Sequence, residues 1–307
     1  MKKLFTLIIP MVAVSLASCN SNDDDAILTT SYPATNLVTN IATGETRVSK
    51  GIYDIKFNLS NQTGVISTQN LSFGAASYTM TTNESPYTNY YYSVNNQTGT
   101  AQVITFNDFK GVANNSASLP INGKSFVVST MNWYNQLDPG STSIAPYYPA
   151  VITQYAIGNE LSVKTIATDA LYSGKTVTTY SVNGETRSYE NETMSYRFKI
   201  DIATNKADLI IYKAKFAATM PIEIAAIVVN GLDVTWKAGT YTITGKNIIP
   251  VVYEGTTPTP YPSFVFDSIN FEPTNDRLTS GKLSYEVAGK YYGEFTGKYV
   301  IEPGMED

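Results

Sequence analysis

The chain has 307 residues, of which 43% are hydrophobic and 15% charged, and its formal net charge is −5. This length suggests about two domains. The acidic balance excludes a general nucleic-acid binder, because no basic patch is available to release phosphate counterions. The sequence has no His and one Cys, Cys19, so a disulfide within the chain and His- or Cys-based catalysis are excluded. We therefore expect no metal, no cofactor and no enzyme activity.

The first residues have the pattern of an export signal. Lys2-Lys3 precede an apolar run, Leu4–Val14, that is too short to span a membrane. The next segment, Leu16–Cys19 (LASC), resembles the lipobox of bacterial lipoproteins. In that family the peptide is cut before the Cys, which is then acylated. The resemblance implies a signal peptide over residues 1–18, lipidation of Cys19 and a membrane anchor. The alternative is an ordinary signal peptide with an incidental Cys.

Residues 19–29 are predicted to form a flexible acidic tether. The run Ser21–Asp25 resembles the export tag of lipoproteins that some Gram-negative bacteria display on the outer face of the outer membrane. The resemblance implies an outer-membrane lipoprotein exposed on the cell surface. A solvated tether without any targeting role is the alternative.

The mature chain contains two similar hairpins, Tyr53–Phe73 and Tyr196–Phe216. Each reads as two short strands joined by a polar turn, Asn61–Gly64 in the first and Thr204–Lys206 in the second. The tyrosines, lysines and phenylalanines that the two hairpins share are separated by one constant offset. We interpret this as a duplicated domain.

Three further sequence echoes, in the same order along the chain, support the duplication. They pair Tyr32–Arg47 with Tyr172–Arg187, Leu119–Lys124 with Tyr241–Lys246, and Pro146–Pro149 with Pro260–Pro262. The resulting boundaries are 30–168 for the first repeat domain, 169–303 for the second and 304–307 for a tail, with the junction at Asp169–Gly174. An extra stretch around Tyr87–Phe109 belongs to the first copy alone.

Both copies read as short strands at regular spacing with turn signals between them, which predicts an all-β fold of two tandem antiparallel meanders. Even Ile222–Val229 favours a strand, because β-branched residues dominate it. Closing a meander into a barrel removes its edges. The hairpin Tyr285–Val300, the Pro-rich loop before it and Lys215–Pro221 (KFAATMP) resemble calycin-like (lipocalin-like) domains of bacterial lipoproteins. A flattened β-sandwich is the alternative to a barrel.

Charged residues give little indication of catalysis. Asp108, Asp138, Glu160 and Asp169 are the candidate carboxylates for a hydrolase, yet their spacing matches that of ordinary surface and turn acids. The repeated pairs Glu45/Arg47 and Glu185/Arg187 fit cross-strand ion pairs or plain solvation.

Aromatic residues on loops are the best functional signal. Trp133 and Tyr134 lead into a Pro-, Gly- and Ser-rich loop that ends in Tyr147 and Tyr148, and the second copy has a shorter version with Tyr261. Such rings present a flat apolar surface to sugars and peptides, although they also suit a barrel end or plain β-structure. Three consecutive tyrosines, Tyr90–Tyr92, alternate in a strand, so at least one should be exposed or lie at a rim.

These observations favour a lipid-anchored binding module at the bacterial surface. Its ligand is expected to be a glycan, a peptide or a small amphiphile, held by aromatic loops or inside a barrel. A structural or adhesive surface protein with a protein partner is the second hypothesis, and a carboxylate-dependent hydrolase is the third. The predicted partners are the membrane and a glycan or small-molecule ligand, not nucleic acid.

Overall fold

The computed structural model describes residues 27–93, 100–115, 117–131, 150–254 and 257–299. In these ranges nearly all regular structure is β. The strands of the first half are β1 (Ile27–Asn40), β2 (Thr46–Asn58), β3 (Thr63–Phe73), β4 (Ala76–Thr82), β5 (Ser85–Ser93), β6 (Thr100–Asn107), β7 (Lys110–Asn114), β8 (Ser118–Met131), β9 (Ala150–Ile157) and β10 (Leu161–Ile166).

The second half of the chain is also built of β-strands. Its strands are β11 (Asp169–Val182), β12 (Glu185–Asn191), β13 (Ser195–Asp201), β14 (Lys206–Ala214), β15 (Ile224–Lys237), β16 (Thr240–Ile248), β17 (Val251–Glu254), β18 (Thr257–Pro260), β19 (Phe266–Pro273), β20 (Ser280–Val287) and β21 (Tyr291–Tyr299), with a 3-10 turn at Pro262–Phe264.

The first half closes into an antiparallel barrel. Around the ring the order is β1, β2, β3, β4, β7, β8, β9 and β10, and β10 pairs with β1 to complete the circle. The hairpin β5–β6 forms a second bridge between β3 and β8. This hairpin lies in the stretch predicted to be extra in the first copy.

The second half forms a barrel of the same topology. Its ring order is β11, β13, β14, β15, β16, β19, β20 and β21, and β21 pairs back with β11. Strand β12 extends β11, while the hairpin β17–β18 attaches to β15. The prediction of an all-β chain with two tandem barrel domains is confirmed, and the sandwich alternative is wrong.

Aromatic side chains fill both barrels. Inward and outward residues alternate along each strand. The inward positions carry large buried rings: Tyr53, Phe106, Phe126 and Tyr155 in the first barrel and Tyr172, Tyr196, Phe198, Phe266, Phe271 and Tyr285 in the second. Phe109, in the connection between β6 and β7, adds another buried ring to the first barrel. Strand glycines make room for them, since a Cβ on Gly123 would lie 2.1 Å from the Phe109 ring. An eight-stranded barrel is just wide enough for such filling.

The opening echo is structurally equivalent in the two barrels. Tyr32 lies opposite Tyr53 in the β1–β2 ladder, and Tyr172 lies opposite Tyr196 in the β11–β13 ladder. Both hairpins therefore supply the second and third strands of their rings.

The echo between Leu119–Lys124 and Tyr241–Lys246 does not mark equivalent positions. Leu119–Lys124 lies in β8, the third strand from the closing end of its ring, whereas Tyr241–Lys246 lies in β16, the fourth from the closing end of its own. Pro146–Pro149 lie outside the described residues, so their correspondence with Pro260–Pro262 stays a prediction. Short β-rich segments resemble one another wherever a strand is needed.

The first strand begins inside the segment 19–29 that was predicted as a tether, and residues 19–26 lie outside the described residues. β1 begins at Ile27, and Ile27–Thr29 pair with Lys56–Asn58 of β2. The two Thr and the Ile near this end favour a strand, and pairing with β2 satisfies their backbone groups.

Candidate functional site

The two ends of the second barrel have different surroundings. The base carries the turns 202–205, 238–239 and 274–279, and it meets the first barrel. There the backbone N–H of Gly239 donates to Thr46 Oγ1 at 2.9 Å, and Lys164 Nζ lies 3.8 Å from Asp276 Oδ1. The opposite end carries the connections 215–223 and 249–265 and the turn 288–290. We call this opposite end the free end.

Three aromatic rings stack in series at the free end. The Tyr261 and Phe264 rings are 5.0 Å apart between centroids and inclined by 7°. Phe264 and Tyr291 follow at 6.5 Å and 4°. Near-parallel faces at this spacing are a favourable arrangement for aromatic rings. We call these three residues the aromatic ladder.

Local backbone geometry produces the first step of the ladder. In a 3-10 turn, side chains three residues apart eclipse one another, and Tyr261 and Phe264 have that spacing around the Pro262–Phe264 turn. The Phe264 N–H donates to the Tyr261 carbonyl at 3.1 Å, and the Tyr261 N–H donates to the Pro250 carbonyl at 2.8 Å. These bonds fix the turn against the residue that precedes β17.

Neighbouring segments support the ladder from below. The buried Phe216 ring lies 5.8 Å from Phe264 and 6.1 Å from Tyr291. Asp267 accepts a hydrogen bond from the Gly289 N–H at 2.7 Å, which holds the turn that precedes Tyr291. These contacts hold the aromatic ladder in place at the free end of the barrel.

The ladder has a solvent-facing side. Tyr261 and Phe264 are half-buried, and Pro262 and Ser263 between them are exposed. In the connections of the same end, Ile222 is 64% exposed and Ile249 is 52% exposed. Flat rings with exposed aliphatic neighbours suit contact with an apolar face of a ligand or partner.

The predicted site residues are only partly located. Tyr261 belongs to the ladder. Trp133, Tyr134, Tyr147 and Tyr148 lie outside the described residues, as does the lipidation candidate Cys19. Tyr90–Tyr92 belong to β5, so the strand prediction for them is confirmed, and their exposure stays a prediction.

Sequence reasoning missed Phe264 and Tyr291. The segment Tyr261–Phe264 (YPSF) contains a usable signal, because a Pro at the start of a helical turn with aromatics three apart favours ring stacking. Tyr291 had no such signal, since it reaches the ladder only through the closure of β19, β20 and β21.

Buried side chains occupy the barrel interiors in the part of the chain that the structure describes. The Tyr53 and Tyr155 hydroxyls meet at 3.0 Å, and those of Tyr196 and Tyr285 meet at 3.3 Å. Burial raises the pKa of Tyr285 to about 12 and that of Tyr241 to about 12, with smaller opposing effects from hydrogen bonds. These interior tyrosines are neutral, densely packed core groups.

The candidate carboxylates are dispersed. Asp169 forms two hydrogen bonds with the Arg197 guanidinium, at 2.6 and 2.8 Å. Asp108 and Glu160 lie exposed in turns, and Asp138 lies outside the described residues. Within the part of the chain that is described, no group of three or more His, Cys, Asp or Glu is arranged to hold a metal ion.

Each repeated Glu/Arg pair is an ion pair between residues two apart along the chain, at the start of β2 and of β12. Arg47 lies 2.7 Å from Glu45, and Arg187 lies 3.4 Å from Glu185. Residues two apart share a face of a strand, so each Arg reaches its own neighbour. The cross-strand interpretation is therefore wrong, because the partner carboxylate is closer along the strand.

Comparison with known proteins assigns no family. No family model matches the chain, and no curated protein matches it. Among solved structures, a double mutant of the vaccine antigen Transferrin Binding Protein B from Haemophilus parasuis Hp5 aligns over 91% of this chain and 77% of that chain, at 9% identity and a TM-score of 0.26. A match of this size assigns neither a family nor a ligand. Among the described residues, none lies in a helix long and apolar enough to cross a membrane.

Proposed function

We propose that the chain is a binding module of the bacterial cell surface, anchored through a lipid on Cys19, whose free end holds a ligand against the aromatic ladder. The ligand would present a flat apolar face, as a pyranose ring of a glycan does. The membrane is the second partner, reached through the acylated Cys.

The aromatic ladder carries this proposal. Tyr261, its terminal ring, is half-buried and lies at the end of the molecule turned away from the first barrel. Among the described residues its hydroxyl has no hydrogen-bond partner, so the ring offers an apolar face together with an unused polar group. Both barrels contain many buried side chains of their own in the described part of the chain, which supports a ligand site on the outside.

A protein partner is the second candidate, and one observation favours it. Ile222 and Ile249 are among the most exposed large aliphatic residues described, and both belong to the connections of the free end. Exposed aliphatic residues beside an aromatic platform are typical of protein-contact surfaces. Under this alternative the chain is an adhesive or structural surface protein.

Glycan binding by Tyr261→Ala tests the proposal. The mature chain would be screened against immobilised cello-, malto-, xylo- and chito-oligosaccharides, and the best binder titrated calorimetrically. Loss of one stacked ring should weaken affinity about tenfold. The melting temperature should change little, because Tyr261 is the outermost ring.

Tyr292→Ala is the matched control. Tyr292 adjoins Tyr291, points to the opposite face of β21 and is 47% exposed, so its removal deletes an exposed Tyr outside the ladder. Equal affinities for Tyr261→Ala and the unmodified chain would rule out the ladder as the site. Binding to a host or bacterial protein without any oligosaccharide binding would favour the adhesive alternative.

A further inference from the structure

Five apolar residues on the outside of the first barrel are buried. They are Leu37, Val103, Val127, Ile152 and Ile166, each 9% exposed or less. Val38, Ile104, Val128 and Val151 adjoin the first four and belong to the first barrel's own core, as does Val163, three residues before Ile166. Alternation along the strands therefore directs these five residues outward. We call them the apolar wall. Something other than their own barrel removes them from water.

The second barrel covers the apolar wall. All five residues belong to one continuous buried cluster with the core of the second barrel, and Leu278 of the base is a member. The hydrogen bond from Gly239 to Thr46 and the Lys164–Asp276 ion pair lie at the same junction. The contact therefore joins the side of one barrel to the base of the other.

The register identifies the equivalent wall on the second barrel. Tyr155 and Tyr285 lie on the seventh strand of their barrels. The Tyr155 hydroxyl is hydrogen-bonded to that of Tyr53, and the Tyr285 hydroxyl to that of Tyr196. Three residues before them stand Ile152 and Lys282, which are therefore equivalent.

The same comparison extends across the neighbouring strands. Ile152 lies opposite Val127, whereas Lys282 lies opposite Glu272. One strand further, the position of Ile166 corresponds to Thr296, which lies opposite Lys282. Glu272, Lys282 and Thr296 are all exposed. The fold has been duplicated, but the outward face is apolar in one copy and charged in the other.

We propose that the apolar wall is a docking surface dedicated to the base of the second barrel. The equivalent face of the second barrel, formed by Glu272, Lys282 and Thr296, would prevent a further barrel from docking there in the same way. A side-to-base contact is heterologous, so identical walls would let further barrels add without closure. Burying Glu272 and Lys282 under another base would cost desolvation energy. The chain is then one rigid two-barrel body that unfolds as a unit. This proposal does not depend on the proposed ligand binding.

Exchange of wall residues in the full mature chain tests this. Val127→Glu with Ile152→Lys installs the second barrel's pair on the first barrel. We expect the unmodified chain to unfold in one calorimetric transition whose calorimetric and van't Hoff enthalpies agree. The double variant should show two transitions and a larger radius of gyration in small-angle scattering.

The reciprocal variant, Glu272→Val with Lys282→Ile, is the control and should keep one transition. Two separate transitions in the unmodified chain would overturn the proposal, as would a double variant with one transition and an unchanged radius of gyration. If the double variant is insoluble, Ile166→Thr installs the second barrel's residue more gently and should also split the transition. A single transition in Ile166→Thr would overturn the proposal.

Discussion

The hydroxyl of Tyr53 lies 3.0 Å from that of Tyr155, in the buried centre of the first barrel and 102 residues away along the chain. The second barrel repeats the relationship with Tyr196 and Tyr285 at 3.3 Å. In both barrels the pair joins the second strand of the ring to the strand before the last. The first strand adds a polar partner, Asn36 in one copy and Thr176 in the other.

Tyr53→Phe should therefore destabilise the protein by about 1–3 kcal/mol, because the fully buried Asn36 Oδ1 loses the donor that now reaches it at 2.8 Å. Tyr196→Phe should also destabilise the protein, because the Thr176 hydroxyl loses its hydrogen-bond partner. Urea unfolding measures both. Tyr292→Phe removes an exposed hydroxyl and should change stability by less than about 0.5 kcal/mol. Equal stability of all three variants would contradict the importance of the central pairs.

Stability should fall at alkaline pH as the buried tyrosines ionise. Burial raises the pKa of Tyr285 and of Tyr241 from 10.0 to about 12, and it raises the pKa of Tyr53 and Tyr196 in the same direction. A raised folded-state pKa gives stability that is complete below the unfolded value and is lost as pH rises through the folded value. The decline should thus run from about pH 10 to about pH 12.

Phenolate absorbance and the far-ultraviolet circular dichroism signal, followed together through this pH range, test the prediction. The late-titrating tyrosines should ionise as the β signal disappears. Complete ionisation near pH 10 with intact β-structure would show that these phenols are accessible to solvent.

Gly293→Ala should destabilise the second barrel by about 1–3 kcal/mol. A Cβ at this position would lie 2.2 Å from the Tyr285 ring, which is itself fixed by its hydroxyl contact. Gly184→Ala is a useful comparison, because a Cβ there meets nothing within 4 Å. Its cost should be limited to about 1 kcal/mol, from the positive φ of 83°. Thermal melting that ranks Gly184→Ala as the more damaging change would contradict the packing argument.

Replacement of Cys19 by Ser should abolish lipid attachment while leaving the fold unchanged, because Cys19 precedes the first strand. Metabolic labelling with a fatty acid should mark the unmodified protein alone. The Ser variant should be lost from the membrane fraction, because it lacks the acyl chains that would anchor the protein. Equal labelling of both proteins would remove the anchor from the proposal.

The local sequence pattern was sufficient to predict the all-β fold class and the equivalence of the two hairpins. Tyr53 and Tyr196 each begin a hairpin whose turn and alternation are written in adjacent residues, so their equivalence could be predicted. The segment Leu119–Lys124 shows the limit. Its similarity to Tyr241–Lys246 reflects a shared strand composition, whereas ring position depends on how many strands intervene.

The site was less predictable because its members come from distant segments. Tyr261 could be suggested from a Pro-rich loop. Phe264 stacks on it through a local turn, yet Tyr291 arrives only after two hairpins have closed. The apolar wall was likewise hidden, since Ile152 reads as an ordinary strand residue until the register shows that it faces outward.

The closure of each barrel also has a consequence for the proposed export of the chain. The first strand pairs with the last, Thr35 with Ile166 and Tyr172 with Tyr299. These contacts span 131 (166 − 35) and 127 (299 − 172) residues, and such non-local pairing is slow to form. A chain that crosses a membrane N-terminus first must therefore present β1 with one edge unpaired until β10 has emerged. During that interval the chain is exposed to edge-to-edge aggregation, and under the proposed export a holding chaperone would protect it.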